Sequence, residues 1–139
     1  MCQKELHISR KLTNQLLHLA QLSTDLEICG LLGGKNGLPT NCYPVQNIAD
    51  QPGQRFLFDP GQQITAMKKM REANEELFAI YHSHPTAPAI PSSTDLELAA
   101  YPNAFYLIIS LNTKGVLEMR AFKIRDKTAT EIAILLHED

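Results

Sequence analysis

The feature that most constrains the fold is a series of short apolar segments bounded by glycine, proline or polar residues. The clearest three are EICGLLGG at 27–34, LFAIYHSH at 77–84 and FYLIISL at 105–111. Short apolar segments that end at turn residues are typical of strands buried inside a sheet. The chain is therefore expected to build its core around a central β-sheet.

Two further segments carry helical signals. Leu12, Leu16 and Leu19 recur at helical spacing within 9–22, and Ser9 is a candidate N-cap. Pro60 begins a second segment and is a residue favoured in the first turn of a helix. Strands and helices in this order predict an α/β or α+β fold in which helices flank a central mixed sheet. With no linker or repeat in the sequence, residues 1–139 are predicted to form one domain.

The remaining segments are assigned with the same rules. Further strands are predicted at 40–48, 55–60 and 116–124, with a turn at 112–115. The prolines of 85–91 exclude regular structure, because they lack backbone donors and restrict the residues before them. A short helix is predicted to follow at SSTDLELAA, and 128–136 fits a strand or a helix equally well.

Composition narrows the range of partners. The 139 residues are 44% apolar, enough for a core without crosslinks, and the net charge of −2 offers no basic field for nucleic acid. Cys2, Cys29 and Cys42 form no CxxC pair, so neither a disulfide framework nor a cysteine zinc site is indicated. No segment resembles a signal peptide or a membrane span. We expect a cytoplasmic protein without nucleic-acid or membrane partners, and homodimer formation is left open.

The segment HSHPTAPAIPSSTD, residues 82–95, concentrates side chains that bind metals. Because side chains alternate between the faces of a strand, His82 and His84 point the same way, about 6.6 Å apart along the chain. Catalytic zinc sites take three protein ligands from His, Asp and Glu and leave one position for water. Asp95 is the best candidate for the third ligand, because the proline-stiffened loop can turn the chain back, with Ser92 beside it.

Each of these residues also has a purely structural interpretation. The spacing of Ser92 and Asp95 is that of a capping box at a helix start. A single strand histidine is usually a half-buried polar residue, and Glu27 alone fits a charge on an edge strand. Cys29 lies between apolar residues and is more typical of a core residue than of a nucleophile. The combination at this spacing indicates a metal site.

The arrangement H-x-H-P, six residues, then S-x-x-D resembles the signature of the JAMM metallopeptidases, also called MPN+. EICGLLGG is similar to the glutamate-containing strand upstream in that family. The resemblance covers nearly the whole chain and implies a JAMM/MPN-like domain of cytidine-deaminase-like architecture. It also implies a zinc-dependent peptidase or isopeptidase. The implied zinc ligands are His82, His84 and Asp95, with Glu27 as general base and Ser92 as stabiliser of the intermediate.

These implied roles are chemically consistent. Zinc lowers the pKa of a water that it binds towards about 7 and polarises the scissile carbonyl. A carboxylate that is not a ligand, here Glu27, can then take the proton and return it to the leaving amine. The Ser92 hydroxyl can donate to the oxyanion, a kind of contact worth roughly 3 kcal/mol in other enzymes.

Small bacterial members of this family are associated with ubiquitin-like sulfur-carrier proteins, whose Gly-Gly tail they cut from an attached amino acid, notably cysteine, or from an extension. The resemblance therefore predicts hydrolysis directly after the C-terminal glycine of such a carrier. Glycine leaves the approach to zinc open, and an extended tail can add to a sheet edge. Two alternatives stay open: a non-catalytic MPN-like binding module, and a cell-wall or phage-tail peptidase of the same chemistry.

Overall fold

A computed structural model describes residues 5–112 and 117–138 of the chain. These residues form seven strands and three helices, joined by loops. In chain order they are β1 Glu5–Ser9, α1 Arg10–Gln21, β2 Cys29–Lys35, β3 Leu38–Val45, α2 Pro60–Glu72, β4 Glu76–His84, α3 Ser93–Leu98, β5 Phe105–Ser110, β6 Glu118–Arg125 and β7 Thr128–His137. Within these described ranges, none of the helices is both long and apolar enough to cross a membrane.

All seven strands belong to one mixed sheet with the order β1-β7-β6-β5-β4-β2-β3. The pairs β1–β7 and β4–β5 are parallel, and the other neighbours are antiparallel. β1 and β3, the two ends of this order, also contact each other, so the sheet is curled. β4 lies inside the sheet between β2 and β5, and its last seven residues are buried. The predicted central mixed sheet flanked by helices is confirmed.

Helices cover both faces of the sheet. α1 packs Leu12 and Leu16 on the face that carries Tyr81, and Ser9 caps this helix by accepting from Leu12 N at 3.0 Å, as predicted. α2 packs Ala66 and Met70 on the opposite face. Because side chains alternate along β4, the residues next to Tyr81 in the sequence point to the α2 side of the sheet.

The predicted helices all form, and the undecided segment 128–136 is the strand β7. It is a strand because it pairs with both β6 and β1. β1 was not predicted: Leu6 and Ile8 are buried in alternation, but their parallel partner lies at the far end of the chain. The predicted turn at 112–115 falls mostly on residues outside the described ranges.

The predicted strand at 55–60 is wrong. This segment makes only an isolated bridge between Asn47 and Phe58. Its backbone pairs with 46–48 only through Ile48 N to Leu57 O at 2.8 Å and Asp59 N to Gln46 O at 3.0 Å. The Asn47 side chain takes further groups of the segment, since it accepts from Leu57 N and donates to Arg55 O, both at 3.0 Å. A side chain that satisfies these backbone groups replaces the strand ladder that the apolar pattern suggested.

Gly30 of β2 lies directly against the ring of Tyr81 and supplies a first test. A Cβ at this position would overlap Oη and Cζ of Tyr81 and lie 2.6 Å from Cε2, and Tyr81 is fully buried. We expect Gly30→Ala to lower the free energy of unfolding by roughly 1–3 kcal/mol, because an overpacked core has to shift. Urea denaturation of both proteins measures the difference.

Gly61→Ala is the matched control. Gly61 lies in the first turn of α2, and a Cβ there meets only Asp59 Oδ1, at 3.4 Å. Because alanine is the better helix former, we expect Gly61→Ala to be neutral or to stabilise by up to about 1 kcal/mol. Equal destabilisation by the two substitutions would contradict this account of Gly30.

Candidate metal centre

The C-terminal end of β4 brings the two histidines of the motif together. The Nε2 atoms of His82 and His84 lie 3.1 Å apart, and the two residues are 1% and 2% exposed. Their rings are on one face of the strand, as the periodicity of two predicts. Burial lowers the pKa of His82, so its imidazole is neutral, which is the form that binds metals.

The third side chain at this point is Asp95, in the first turn of α3. Its Oδ2 lies 3.1 Å from Nε2 of His82 and 3.1 Å from Nε2 of His84. Oδ2 also accepts from Ser92 N at 2.9 Å, while Ser92 Oγ accepts from Asp95 N at 3.0 Å. This reciprocal pair is the capping box expected from the spacing. The structural interpretation of S-x-x-D is therefore correct, and the same box turns the carboxylate towards the histidines.

The two imidazole nitrogens and the carboxylate oxygen form a triangle with sides of 3.1 Å. Ligand atoms held about 2.0–2.1 Å from a tetrahedral zinc ion are about 3.3 Å from one another. The triangle therefore has nearly the dimensions of one face of a zinc coordination tetrahedron. Two imidazoles and one carboxylate are also a donor set that zinc accepts with a fourth position left open. The residues fit a zinc ion.

The ring of His84 is oriented by the proline-rich loop. Its Nδ1 lies 2.8 Å from Pro88 O and donates a hydrogen bond to that carbonyl, so the neutral ring has its lone pair on Nε2, facing the triangle. Ser110 Oγ donates to Ala87 O at 2.7 Å and holds the same loop against β5. The proline-stiffened loop, expected from the sequence only to turn the chain back towards the histidines, therefore also fixes the tautomer of a candidate ligand.

The ring of His82 is held by packing instead. It stacks on Phe56 with a centroid distance of 4.4 Å and an interplanar angle of 27°. Its Nδ1 is buried and has no hydrogen-bond partner among the residues that the structure describes. The contact of Phe56 with His82 was not predicted, because no sequence pattern relates a phenylalanine to a histidine in another element.

Glu27 lies two residues before β2 and is 4% exposed, so it is not the edge-strand charge of the alternative interpretation. Burial raises the pKa of its carboxyl group to about 7. The charge of His84 lowers this pKa, and the charge of Asp95 raises it further. Oε1 is buried and has no hydrogen-bond partner among the described residues. A carboxylate oxygen without a protein donor is costly to bury, which suggests that it serves a ligand or a water.

Either carboxylate could complete a metal site with the two histidines. Ligand atoms of Glu27, His82 and His84 all lie within 4.8 Å of one another, a looser group than the triangle that includes Asp95. Burial raises the pKa of Asp95, but hydrogen bonds from both imidazoles outweigh it and hold this pKa well below its usual range. The geometry therefore favours Asp95 as ligand and leaves Glu27 suited to proton exchange.

Asn47 fixes the backbone at Glu27 and is a residue that sequence reasoning missed. Its Nδ2 donates to Glu27 O at 3.0 Å, and its Oδ1 accepts from Ala49 N at 3.0 Å. Glu27 N donates to Pro52 O at 2.8 Å, and Ser83 Oγ accepts from Ile28 N at 2.9 Å. Asparagine is a known turn former through its side chain, but its bond to a residue twenty positions earlier cannot be read from the sequence.

Comparison with known proteins places this geometry in a family. The family described as prokaryotic homologs of the JAB domain matches residues 9–125. The CysO-cysteine peptidase of Mycobacterium tuberculosis is 34% identical over 126 residues, which cover 89% of this chain and 86% of that protein. The desampylase of Pyrococcus furiosus is 31% identical over 115 residues, 82% of this chain and 79% of that protein.

Solved structures agree with the fold. The protein DSY2949 from Desulfitobacterium hafniense has a TM-score of 0.84 at 34% identity, with 96% of this chain and 93% of that chain covered. AF2198, a JAB1/MPN domain protein from Archaeoglobus fulgidus, has a TM-score of 0.61 at 19% identity, with 93% and 98% covered, and supports the fold alone. The predicted fold class and the prediction of an enzyme are confirmed. The chain belongs to the prokaryotic JAB family, as a small member of the JAMM/MPN+ type, and is a hydrolase.

Proposed function

We propose that this protein is a zinc-dependent peptidase that hydrolyses the bond after the C-terminal glycine of a ubiquitin-like sulfur-carrier protein. The observation that carries the chemistry is the triangle of His82 Nε2, His84 Nε2 and Asp95 Oδ2, with the buried, unpartnered Oε1 of Glu27 nearby. The substrate class is supported by relatives named CysO-cysteine peptidase and desampylase.

In this proposal His82, His84 and Asp95 hold the ion. When bound, zinc supplies an acidified water and polarises the scissile carbonyl. Glu27 accepts a proton from the attacking water at Oε1 and delivers it to the leaving amine, a task for which a pKa of about 7 is suitable. Ser92 Oγ already accepts from Asp95 N, so its own hydrogen is free to donate to the oxyanion.

The predicted cellular setting and assembly belong to the same proposal. We propose that residues 1–139 act as one catalytic domain in the cytoplasm, where the free thiols of Cys29 and Cys42 suit a reducing environment. Homodimer formation stays open, and the absence of nucleic-acid partners stays a prediction. The binding-module alternative is disfavoured by the raised pKa and unpartnered oxygen of Glu27, features that a purely structural metal site does not need.

Glu27→Gln tests the general base. Glutamine keeps the shape of the side chain but cannot carry the proton, so we expect kcat to fall at least roughly 100-fold while the protein still binds one zinc ion. Metal content is measured by mass spectrometry of the metal, and turnover with a carrier substrate. Glu76→Gln, at an exposed glutamate of β4, is the control and should keep both properties. Full turnover by zinc-loaded Glu27→Gln would eliminate Glu27 as the base.

Asp95→Asn tests the third ligand. The amide is neutral and a weaker ligand, so we expect zinc affinity to fall. Removing a residue that only hydrogen-bonds a metal ligand typically lowers affinity roughly 10- to 100-fold, and the loss of a ligand should exceed this. Competition with a chromogenic chelator measures the affinity. Asp59→Asn is the matched control, because Asp59 caps α2 by accepting from Gly61 N and Gln62 N. If Glu27→Gln lost zinc and Asp95→Asn kept it, the two carboxylates would have exchanged roles.

Cleavage of a carrier tests the substrate. Ubiquitin-like carriers of the host that end in Gly-Gly plus a cysteine or a short extension are incubated with the protein, with and without a zinc chelator. We expect intact-mass analysis to show loss of the added residues directly after Gly-Gly, and only without chelator. Cleavage of cell-wall peptides in place of every carrier would favour the alternative peptidase.

A further inference from the structure

A cavity of about 240 Å³ lies directly beside the candidate metal centre. It lies between the segment 56–58, helix α3 and the sheet, and is open to the surface on one side. His82 and Asp95 belong to its lining, so the cavity and the triangle of ligand atoms share two residues. Leu57 and Leu98, also in the lining, are 53% and 60% exposed and mark where the cavity meets the surface.

The walls of the cavity are apolar. They are formed mainly by Phe56, Phe58, Ile80, Tyr106, Ile108 and Ile124. In the described ranges the lining includes no lysine, arginine or glutamate, so a charged group placed in it would lack a counter-charge away from the metal centre.

The side chains of Gln63, Tyr101 and Tyr106 in the lining are already hydrogen-bonded within the protein. Gln63 Nε2 donates to Tyr101 Oη at 3.0 Å, and Tyr106 Oη accepts from the backbone N of Ala100 and Tyr101 at 3.1 and 3.0 Å. An apolar cavity of about 150 Å³ in another protein stays dry and binds benzene. The present cavity is therefore large enough for an uncharged side chain up to the size of a phenyl ring.

We propose that this cavity receives the apolar side chain of the residue released by the reaction, the first residue after the scissile bond. The proposal rests on the proposed function, in which the residues before the bond are Gly-Gly and have no side chain to fill a cavity. The side chain nearest to the reacting carbonyl is then that of the leaving residue. Because His82 and Asp95 border the cavity, a group in it lies next to the metal centre.

A cavity in this position makes the enzyme selective for the side chain of the leaving residue. Cysteine, leucine, methionine and phenylalanine bury apolar area in the cavity, glycine leaves it empty, and aspartate and lysine would bring a charge into it. Hydrolysis itself is the same for all of them: water adds its oxygen to the glycine carbonyl carbon, the C–N bond breaks, and the proton goes to the leaving amine.

The test is a series of carrier proteins that differ only in the residue attached after Gly-Gly. We expect kcat/KM for methionine, leucine and phenylalanine to exceed that for glycine by roughly 10- to 200-fold, the range that apolar pockets achieve, and aspartate and lysine to be the poorest. Equal kcat/KM across the series would overturn the inference and leave the proposed function standing. Cleavage of no member would overturn the proposed function.

A cavity-filling variant locates the selectivity. Ala99, the C-cap of α3, lines the cavity, so Ala99→Leu should reduce kcat/KM for phenylalanine at least 10-fold while changing that for glycine little. Ala73→Leu is the matched control at the C-cap of α2, away from the cavity lining, and should change neither. Equal loss for both leaving residues in Ala99→Leu would contradict a role in recognising the side chain.

A binding measurement without catalysis completes the test. Ile80, Ile108 and Ile124 line the cavity, so isotope-labelled isoleucine methyl groups report its occupancy by NMR. On adding free phenylalanine to metal-free protein, we expect these three signals to shift, but not that of Ile8 on the other face of the sheet. Glycine at the same concentration should leave all of them unchanged. Unshifted cavity signals with phenylalanine would overturn the proposal even if carriers are cleaved.

Discussion

The site depends on the burial of one ionised carboxylate, that of Asp95, among two imidazoles and a backbone N–H. Taking such a charge out of water costs several kcal/mol unless hydrogen bonds replace the lost hydration. Three contacts at 2.9–3.1 Å do so here, and the two with His82 and His84 join α3 to the end of β4. A helix of six residues is too short to be stable by itself, so this junction and the capping box also hold α3 in place.

The surroundings of two neighbouring carboxylates, Glu27 and Asp95, shift their pKa values in opposite directions. Asp95 is surrounded by donors, and its pKa stays below the usual range in spite of burial. Glu27 is buried beside the same histidines without a donor for Oε1, and its pKa rises to about 7. Such separation of two acids is the pattern by which hydrolases divide the roles of charged ligand and proton carrier. The division proposed for this protein follows from these unequal contacts.

The irregular segment between β3 and α2 connects the parts of the site. Asn47 ties this segment to the backbone of Glu27, Phe56 stacks on His82, and Phe58 lines the neighbouring cavity. Phe56 and Phe58 lie two residues apart, a spacing that would also put two strand side chains on one face, and they meet edge to face at 5.4 Å. The backbone is what departs from a strand, because Leu57 N and Arg55 O bond to the Asn47 side chain. The incorrect prediction of a strand at 55–60 therefore coincides with a segment shaped by the site.

The sequence by itself determined what depends on neighbouring residues. The H-x-H spacing put two imidazoles on one face of β4, and S-x-x-D specified the capping box. The order of apolar segments and helix signals was sufficient for the fold class, and the resemblance of HSHPTAPAIPSSTD and EICGLLGG to the JAMM signature was sufficient for the family. These features are local, because strand alternation, helix caps and proline restrictions act over a few residues.

Only the tertiary structure decided what depends on residues distant in sequence. It buried Glu27 and raised its pKa, gave β1 a partner in β7, joined Asn47 to Glu27 and formed an apolar cavity next to His82 and Asp95. Burial and the satisfaction of polar groups are properties of the packed whole, and a sequence pattern read segment by segment does not contain them.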